Sequence, residues 1–535
     1  MKPTGATRLV EALAAAGVRQ LFTLSGNQIL SVFDATIGRG IDLIHTRHEA
    51  AAVHMADAWG RLTEQPGVAL VTAGPGHLNA LSALYGARMA ESPVLLLSGA
   101  SPRAQRGRGA FQEVDQVAAA RPVTKAAWSA EDASHIGDDI ARALALATSG
   151  RPGPVHLSLP GDVLEAAAPD TGASKNHAQS ASANAVSLAD DQVATVLAWL
   201  AEAKRPLILT GPALGRGPRR AAVQRLAEAT GAPALPIESP RGLNDPWLHG
   251  AGRVFAEADL VLLLGKPLDF TLRFGQAFAP DCRIVAVDVE HAGPDGRVAL
   301  ALDADPADAA SRLAAAAATG SVSRRAWRDE VERARQASPP QWAEWRRASR
   351  EPIHPLRVCE ALAPHVADGA VLVCDGGEFG QWVQAGLEPR ERIFNGLSGS
   401  IGSALPMAVA ARLACPDRPV LAVMGDGTFG FHAFELDTAL RHRLPIVVVV
   451  GNDARWNAEH TLQLRHYGAD RTVGCELLAS RYDQLAESLG GHGELVRRAD
   501  DLEPALARAL AAGRPAVINV MIEGLAAPTF TGGGH

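Results

Sequence analysis

Val420-Leu421-Ala422-Val423-Met424-Gly425-Asp426-Gly427-Thr428 is an apolar run that ends in an acid set between two glycines, and a helical pattern at Phe434, Leu436 and Leu440 follows it. Strand, glycine turn and helix in that order put backbone amides and a helix N-terminus where an anionic phosphate can sit. The next apolar run, 445–450, leads into Gly451-Asn452-Asp453-Ala454-Arg455. Neighbouring parallel strands end at one sheet edge, so Asp426 and the Asn452/Asp453 pair can share a hard, oxygen-seeking cation such as Mg²⁺. A diphosphate with its cation is the natural occupant of such an edge.

Working outward, the chain matches itself. VALVTAGPG at 68–76 lies over PVLAVMGDG at 419–427, 92–100 lies over 444–452, and 140–159 lies over 506–521. Two copies of one fold are therefore expected in the first and last thirds. Short apolar runs at 68–72, 93–98 and 154–159, at 207–210, 260–264 and 283–289, and at 370–374, 420–424, 445–450 and 516–521 are separated by helical patterns. That alternation reads as βαβ units on parallel sheets. The expected fold is α/β with three doubly wound parallel-sheet domains, 1–165, 189–330 and 354–535, the first and third related by internal duplication. The Ala-, Ser- and Asn-rich stretch 166–188 reads as a linker and 324–350 as charged helix.

A chain of 535 residues suits about three domains at roughly 100–200 residues each. It is 47% hydrophobic and 20% charged, with a net charge of −7 and no long basic run, which argues against nucleic acid or an anionic membrane as partner. Five cysteines lie far apart with no C-x-x-C pair, so neither a disulfide framework nor a zinc site is expected, and a reducing cytoplasm fits. The N-terminal pattern of Leu9, Val10, Leu13 and Val18 is broken by Arg8, Glu11 and Arg19. Neither a signal peptide nor a membrane span of about 20 apolar residues is expected.

With these motifs the chain resembles the thiamine-diphosphate enzyme family, whose cofactor motif begins G-D-G and closes on an asparagine pair; here Asn452-Asp453 closes it. The resemblance implies that Gly425, Asp426, Gly427 and Thr428 hold the diphosphate, with Trp456 beside them. It implies Mg²⁺ ligation by Asp426, the Asp453 side chain and the Arg455 carbonyl, or, with the register slipped by one residue, by Asn452 and Ala454. Asp375-Gly376-Gly377-Glu378-Phe379 resembles the diphosphate-side loop, which implicates Gly377, Glu378 and Phe379; the family often has histidine where Phe379 stands. In Gly399-Ser400-Ile401-Gly402, Ile401 occupies the family's prop position beneath the bend of the cofactor.

On the pyrimidine side, Glu49 in Thr46-Arg47-His48-Glu49-Ala50-Ala51-Ala52 opens an apolar, Ala-rich helix. Such a residue is either an N-terminal helix charge or a functional acid. The resemblance implies the acid that presses on N1′ of the aminopyrimidine, a role that suits a carboxyl able to share a proton in an apolar setting. Gly74, Pro75 and Asn79 belong to a turn like the one flanking that ring. Phe111-Gln112-Glu113, with Lys125 downstream, resembles the Phe-Gln-Glu stretch of acetolactate synthases, in which the glutamine faces the reacting carbon. An amide there can donate or accept at a developing alkoxide. The stretches 23–28, which includes Gln28, and 268–275 look most like acetolactate-synthase-like proteins of the 2-hydroxyacyl-CoA lyase type. Benzaldehyde lyase is a near neighbour, with histidines where Ser25 and Gln28 stand. Gln28 and Gln112 join Glu49 as catalytic candidates.

The resemblance implies a carbon–carbon lyase or carboligase, transferase chemistry included, acting on a 2-keto acid, acyloin or 2-hydroxyacyl-CoA through a C2 ylide and an enamine. The alternative within the family is an acetolactate-synthase-type decarboxylase and ligase. A non-catalytic nucleotide-binding α/β protein is the rival from another class, but no G-x-G-x-x-G after a strand speaks for it. FAD is not expected, because 240–264 looks shortened, and the Gly532-Gly533-Gly534 tail offers little for a lid. In the family each active site lies between the pyrimidine domain of one subunit and the diphosphate domain of another. A homodimer at least is implied, with a homotetramer as the larger alternative.

Overall fold

The computed structural model describes residues 3–168, 186–289, 296–317 and 324–530. Most of the stretch read as a linker, and the Gly532–534 tail, lie outside the described residues. The first sheet has six parallel strands: β1 (Gln20–Thr23), β2 (Asp42–His45), β3 (Gly67–Val71), β4 (Val94–Ala100), β5 (Ala126–Ser129) and β6 (Val155–Pro160), in the order β2-β1-β3-β4-β6-β5. The middle sheet comprises β7 (Pro206–Thr210), β8 (Ala234–Pro236), β9 (Leu260–Leu264), β10 (Arg283–Asp288) and β11 (Leu300–Asp303), ordered β11-β10-β9-β7-β8. The third comprises β12 (Val371–Cys374), β13 (Arg392–Phe394), β14 (Val420–Gly425), β15 (Val447–Asn452), β16 (His492–Val496) and β17 (Ala516–Met521), ordered β13-β12-β14-β15-β17-β16.

The first and third sheets thus share one strand order. The self-matching segments fall on equivalent strands: β3 with β14, β4 with β15, and β6 with β17. These central strands are buried along nearly their whole length, as strands covered by helices on both faces must be, and so they read as continuous apolar runs. The strands not anticipated are shorter or wetter. β2, β5 and β16 are half-buried along most of their length, and β8 and β13 have three residues each.

The first and third domains pack against each other through the helices Glu49–Thr63 and Ala404–Ala414. Both are rich in alanine, which lets the backbones approach closely, and Val53, Met55 and Ala56 share one apolar core with Met407, Ala408 and Ala411. Inside this junction Arg61 donates through Nε to Asp57 Oδ1 at 2.7 Å and through Nη1 to the Phe394 carbonyl at 2.6 Å. Among the described residues no helix is long and apolar enough to cross a membrane, and all five cysteines are free.

Candidate active site

β14 and β15 pair in parallel register with Gly425 opposite Gly451. The residues that follow each glycine therefore leave the sheet at the same edge. Gly425 caps the helix Asp426–His432, and the turn after β15 carries Asp453. A cavity of about 220 Å³ opens there. Of the residues singled out on the diphosphate side, all line this cavity except Ser400, Asn452 and Ala454.

Asn452 is fully buried because its amide belongs to the sheet. It donates to the Ser480 carbonyl and to Asn519 Oδ1, both at 3.1 Å, and accepts from the Ala454 amide at 3.2 Å. Asp453, one residue on, faces the cavity instead. The Ser400 hydroxyl is held by that of Ser398 at 3.1 Å. The Glu378 carboxylate is engaged by Arg241 at 3.4 Å and by the Ala527 amide, so that part of the loop can meet an anion only through its backbone. The Phe379 ring fills the space above Gly451, where a Cβ would lie 2.3 Å from ring Cδ1.

Three features fit a diphosphate with its cation. Gly377 and Gly399 hold left-handed backbone (φ +81° and +67°), and a Cβ on either of them, or on Gly425, would meet nothing within 4 Å; this open space is what a ligand needs for close backbone approach. Asp426 is 2% exposed, and its Oδ2 has no hydrogen-bond partner among the described residues. Burial pushes Asp426 up to about 6, and burial followed by the charge of Asp426 pushes Asp453 up to about 7. Two carboxylates so placed are the setting a hard divalent ion relieves. Among the described residues no group of three His, Cys, Asp or Glu side chains could hold a metal alone. A cation at Asp426 and Asp453 would take its further ligands from oxygens such as the Arg455 carbonyl and from phosphates.

Sequence reasoning missed part of this wall. Asp375 is fully buried and accepts from the amides of Gly376 at 2.8 Å, Gly402 at 3.0 Å and Ala404 at 2.9 Å. It thereby fixes the loop that presents Ile401, and its position at the end of β12 before two glycines was the available signal. Ser239, Pro240 and Arg241 of the middle domain, and Asn395, also line the cavity; nothing local marks them.

The pyrimidine-side candidates gather at the corresponding edge of the first sheet. His48 caps the helix Glu49–Thr63 by accepting from the Ala50 amide at 3.0 Å. Glu49, 8% exposed, accepts at Oε2 from Asn79 Nδ2 at 3.0 Å. Gly74 (φ +53°) caps the helix that Pro75 begins. Gln28 donates to Gln112 Oε1 at 2.9 Å. Lys125 turns away from this group, and its ammonium caps the carbonyls of Leu146 and Ser149.

No described residue of the first domain lines the cavity around Asp426, so within one chain the Glu49 group and that cavity are separate. A wider cleft of about 1380 Å³, lined by Arg216, Arg220, Arg328 and Arg392 among others, lies beside the middle domain. It contains none of these candidates, and its size assigns it no part in the chemistry.

Residues 3–119 match the family model described as thiamine pyrophosphate enzyme, N-terminal TPP binding domain; 193–313 match the central domain and 375–520 the C-terminal TPP binding domain. The chain is 35% identical over 522 residues to the acetolactate synthase large subunit IlvG of Mycobacterium tuberculosis, covering 96% of this chain and 94% of that one. It is 32% identical over 566 residues to the 2-hydroxyacyl-CoA lyase of Oryza sativa subsp. japonica, covering 98% and 96%. The solved thiamine diphosphate-dependent 4-hydroxybenzoylformate decarboxylase of Rhodococcus jostii RHA1 superposes with a TM-score of 0.77 at 23% identity, over 97% of this chain and 99% of that one, which is a likeness of fold. The chain belongs to the thiamine-diphosphate-dependent enzymes, in the branch of the family that includes acetolactate synthases and 2-hydroxyacyl-CoA lyases.

Proposed function

We propose that this enzyme makes or breaks the carbon–carbon bond next to the carbonyl of a 2-keto acid, an acyloin or a 2-hydroxyacyl-CoA, with Mg²⁺ holding the diphosphate of its cofactor. Bound thiamine diphosphate supplies the electron sink. Asp426, Asp453 and the Arg455 carbonyl hold the cation, and the glycine-lined turns receive the diphosphate. Ile401 supports the bend. Glu49 holds the proton at N1′ of the aminopyrimidine, and Gln112 faces the substrate oxygen. The half-sites are joined by pairing two chains, so that Glu49 of one subunit serves the Asp426 cavity of the other. The five free cysteines support a reducing cytoplasm.

The observation that carries this reading is the buried Glu49 carboxylate, fixed by Asn79 at the start of an apolar helix. The test is exchange of the cofactor's C2 proton, followed by NMR in the native enzyme and in Glu49→Gln. Exchange should slow by about 10²–10⁴, while added thiamine diphosphate and Mg²⁺ still quench the fluorescence of Trp456. Equal exchange rates would sink the reading. Product analysis with 2-keto acids, acyloins and 2-hydroxyacyl-CoA thioesters then separates lyase from acetolactate-synthase-type chemistry, which the mycobacterial relative keeps in view.

A further inference from the structure

Gln112 has a left-handed backbone, φ +58°, a state that residues other than glycine seldom adopt and that persists only where the surroundings impose it. Two neighbours impose it. Glu113 folds its carboxylate back onto the amides of Gly107, Gly109 and Ala110, the last two at 3.0 Å, and those hydrogen bonds hold the carboxyl below its ordinary range. On the other side Gly74 leaves room, since a Cβ there would lie 2.5 Å from the Gln112 carbonyl oxygen. The loop is therefore closed on itself and seated against the turn that follows β3.

The side chain of Gln112 ends a polar chain with a fixed direction. The Thr72 hydroxyl, just past β3, meets Gln28 Oε1 at 2.5 Å. An amide oxygen only accepts, so the hydroxyl must donate. That leaves Gln28 Nε2 as the donor to Gln112 Oε1 at 2.9 Å. The oxygen of Gln112 is thereby engaged, whereas its amide nitrogen donates to no described residue. What Gln112 offers a ligand is N–H.

We infer that Thr72, acting through Gln28, presets Gln112 as a hydrogen-bond donor to a substrate oxygen that gains negative charge, and that Glu113 clamps the loop carrying it. Thr72 and Glu113 are positioning residues. This rests on the assignment of Gln112 to the substrate oxygen. Without the Thr72 hydroxyl, both amides are free to turn over together, and Gln112 would then present a carbonyl oxygen to an alkoxide, which repels it.

The experiment uses the holoenzyme with thiamine diphosphate and Mg²⁺, and methyl acetylphosphonate as a 2-keto acid analogue that can add to a nucleophile but cannot lose CO₂. Its Kd is read from tryptophan fluorescence, beside kcat and KM for pyruvate. Thr72→Val keeps the shape and removes the hydroxyl; Thr72→Ser keeps the hydroxyl. In Thr72→Val the analogue should bind about tenfold more weakly, a smaller loss than the roughly hundredfold or more seen when a transition-state donor is removed outright. Cofactor affinity and C2 exchange should stay unchanged, and Thr72→Ser should restore binding. Glu113→Ala should weaken binding similarly while Glu113→Asp recovers part of it. Should Thr72→Val bind the analogue within twofold of the parent while Gln112→Ala binds it poorly, the relay is overturned and the assignment of Gln112 stands. If Gln112→Ala binds the analogue as the parent does, the assignment falls and the relay with it.

Discussion

Asp426 and Asp453 face the same cavity from the carboxyl ends of adjacent parallel strands, and the charge of the first adds to burial in pushing the second up to about 7. Asn452, the last residue of β15, points the other way and binds Asn519. The two side chains therefore have separable consequences.

Asp426→Asn and Asp453→Asn should each weaken Mg²⁺-dependent cofactor binding at least about tenfold, because affinity for a hard cation follows the number of charged oxygens. Asn452→Ala should instead lower the melting temperature, with a smaller change in Mg²⁺ affinity. Fluorescence titration with Mg²⁺ at fixed thiamine diphosphate, reversed with a chelator, checks both. Equal losses of affinity in Asn452→Ala and Asp453→Asn would reassign the ligand.

Asp57 and Arg61 form a buried ion pair, with side chains 0% and 7% exposed. Replacing Asp57 by Ala strands the guanidinium inside the junction between the first and third domains. Removing one partner of such a pair costs about 3–5 kcal/mol. Thermal melting of Asp57→Ala should show the first and third domains losing stability together. A melt matching the parent's would mean that the pair contributes nothing to the junction.

Asp245, 2% exposed, caps a short helical segment by accepting from the Trp247 amide at 3.0 Å, and burial raises its carboxyl to about 6. A folded-state value above the unfolded one means that the folded protein holds the proton more tightly. The neutral acid is thus accommodated below about pH 4, and stability falls as pH rises toward 6. Asp245→Asn keeps an acceptor and cannot ionise. Its melting temperature relative to the parent should climb between about pH 4 and 6 and level off above, a span equivalent to about 3 kcal/mol. A pH-independent difference would show that Asp245 does not titrate in this range.

The features legible in the sequence are those written contiguously. β14 and the Gly425-Asp426-Gly427 turn are one run of residues, and continuous apolar strands announce a sheet covered on both faces. Arg241 and Asn395 line the same cavity, but they come from another domain and a separate loop and meet the rest only after the chain has folded. The side-chain direction of Asn452 was equally hidden, because it depends on Ser480 and Asn519, distant in sequence. The edge strands escaped for a simpler reason: β5, half-exposed throughout, has no need of the unbroken apolar run that betrays β15.

The shared strand order of the outer sheets puts Gly74-Pro75 after β3 and Gly425-Asp426 after β14 at one topological address, each glycine capping the helix that its neighbour begins. Proline at that address has nothing with which to ligate an ion, and aspartate has. Because the turn lies outside both the ladder and the core, its chemistry can diverge while the scaffold is inherited intact. A fold that repeats such a unit carries two corners of identical architecture and opposite temperament, one apolar and one acidic.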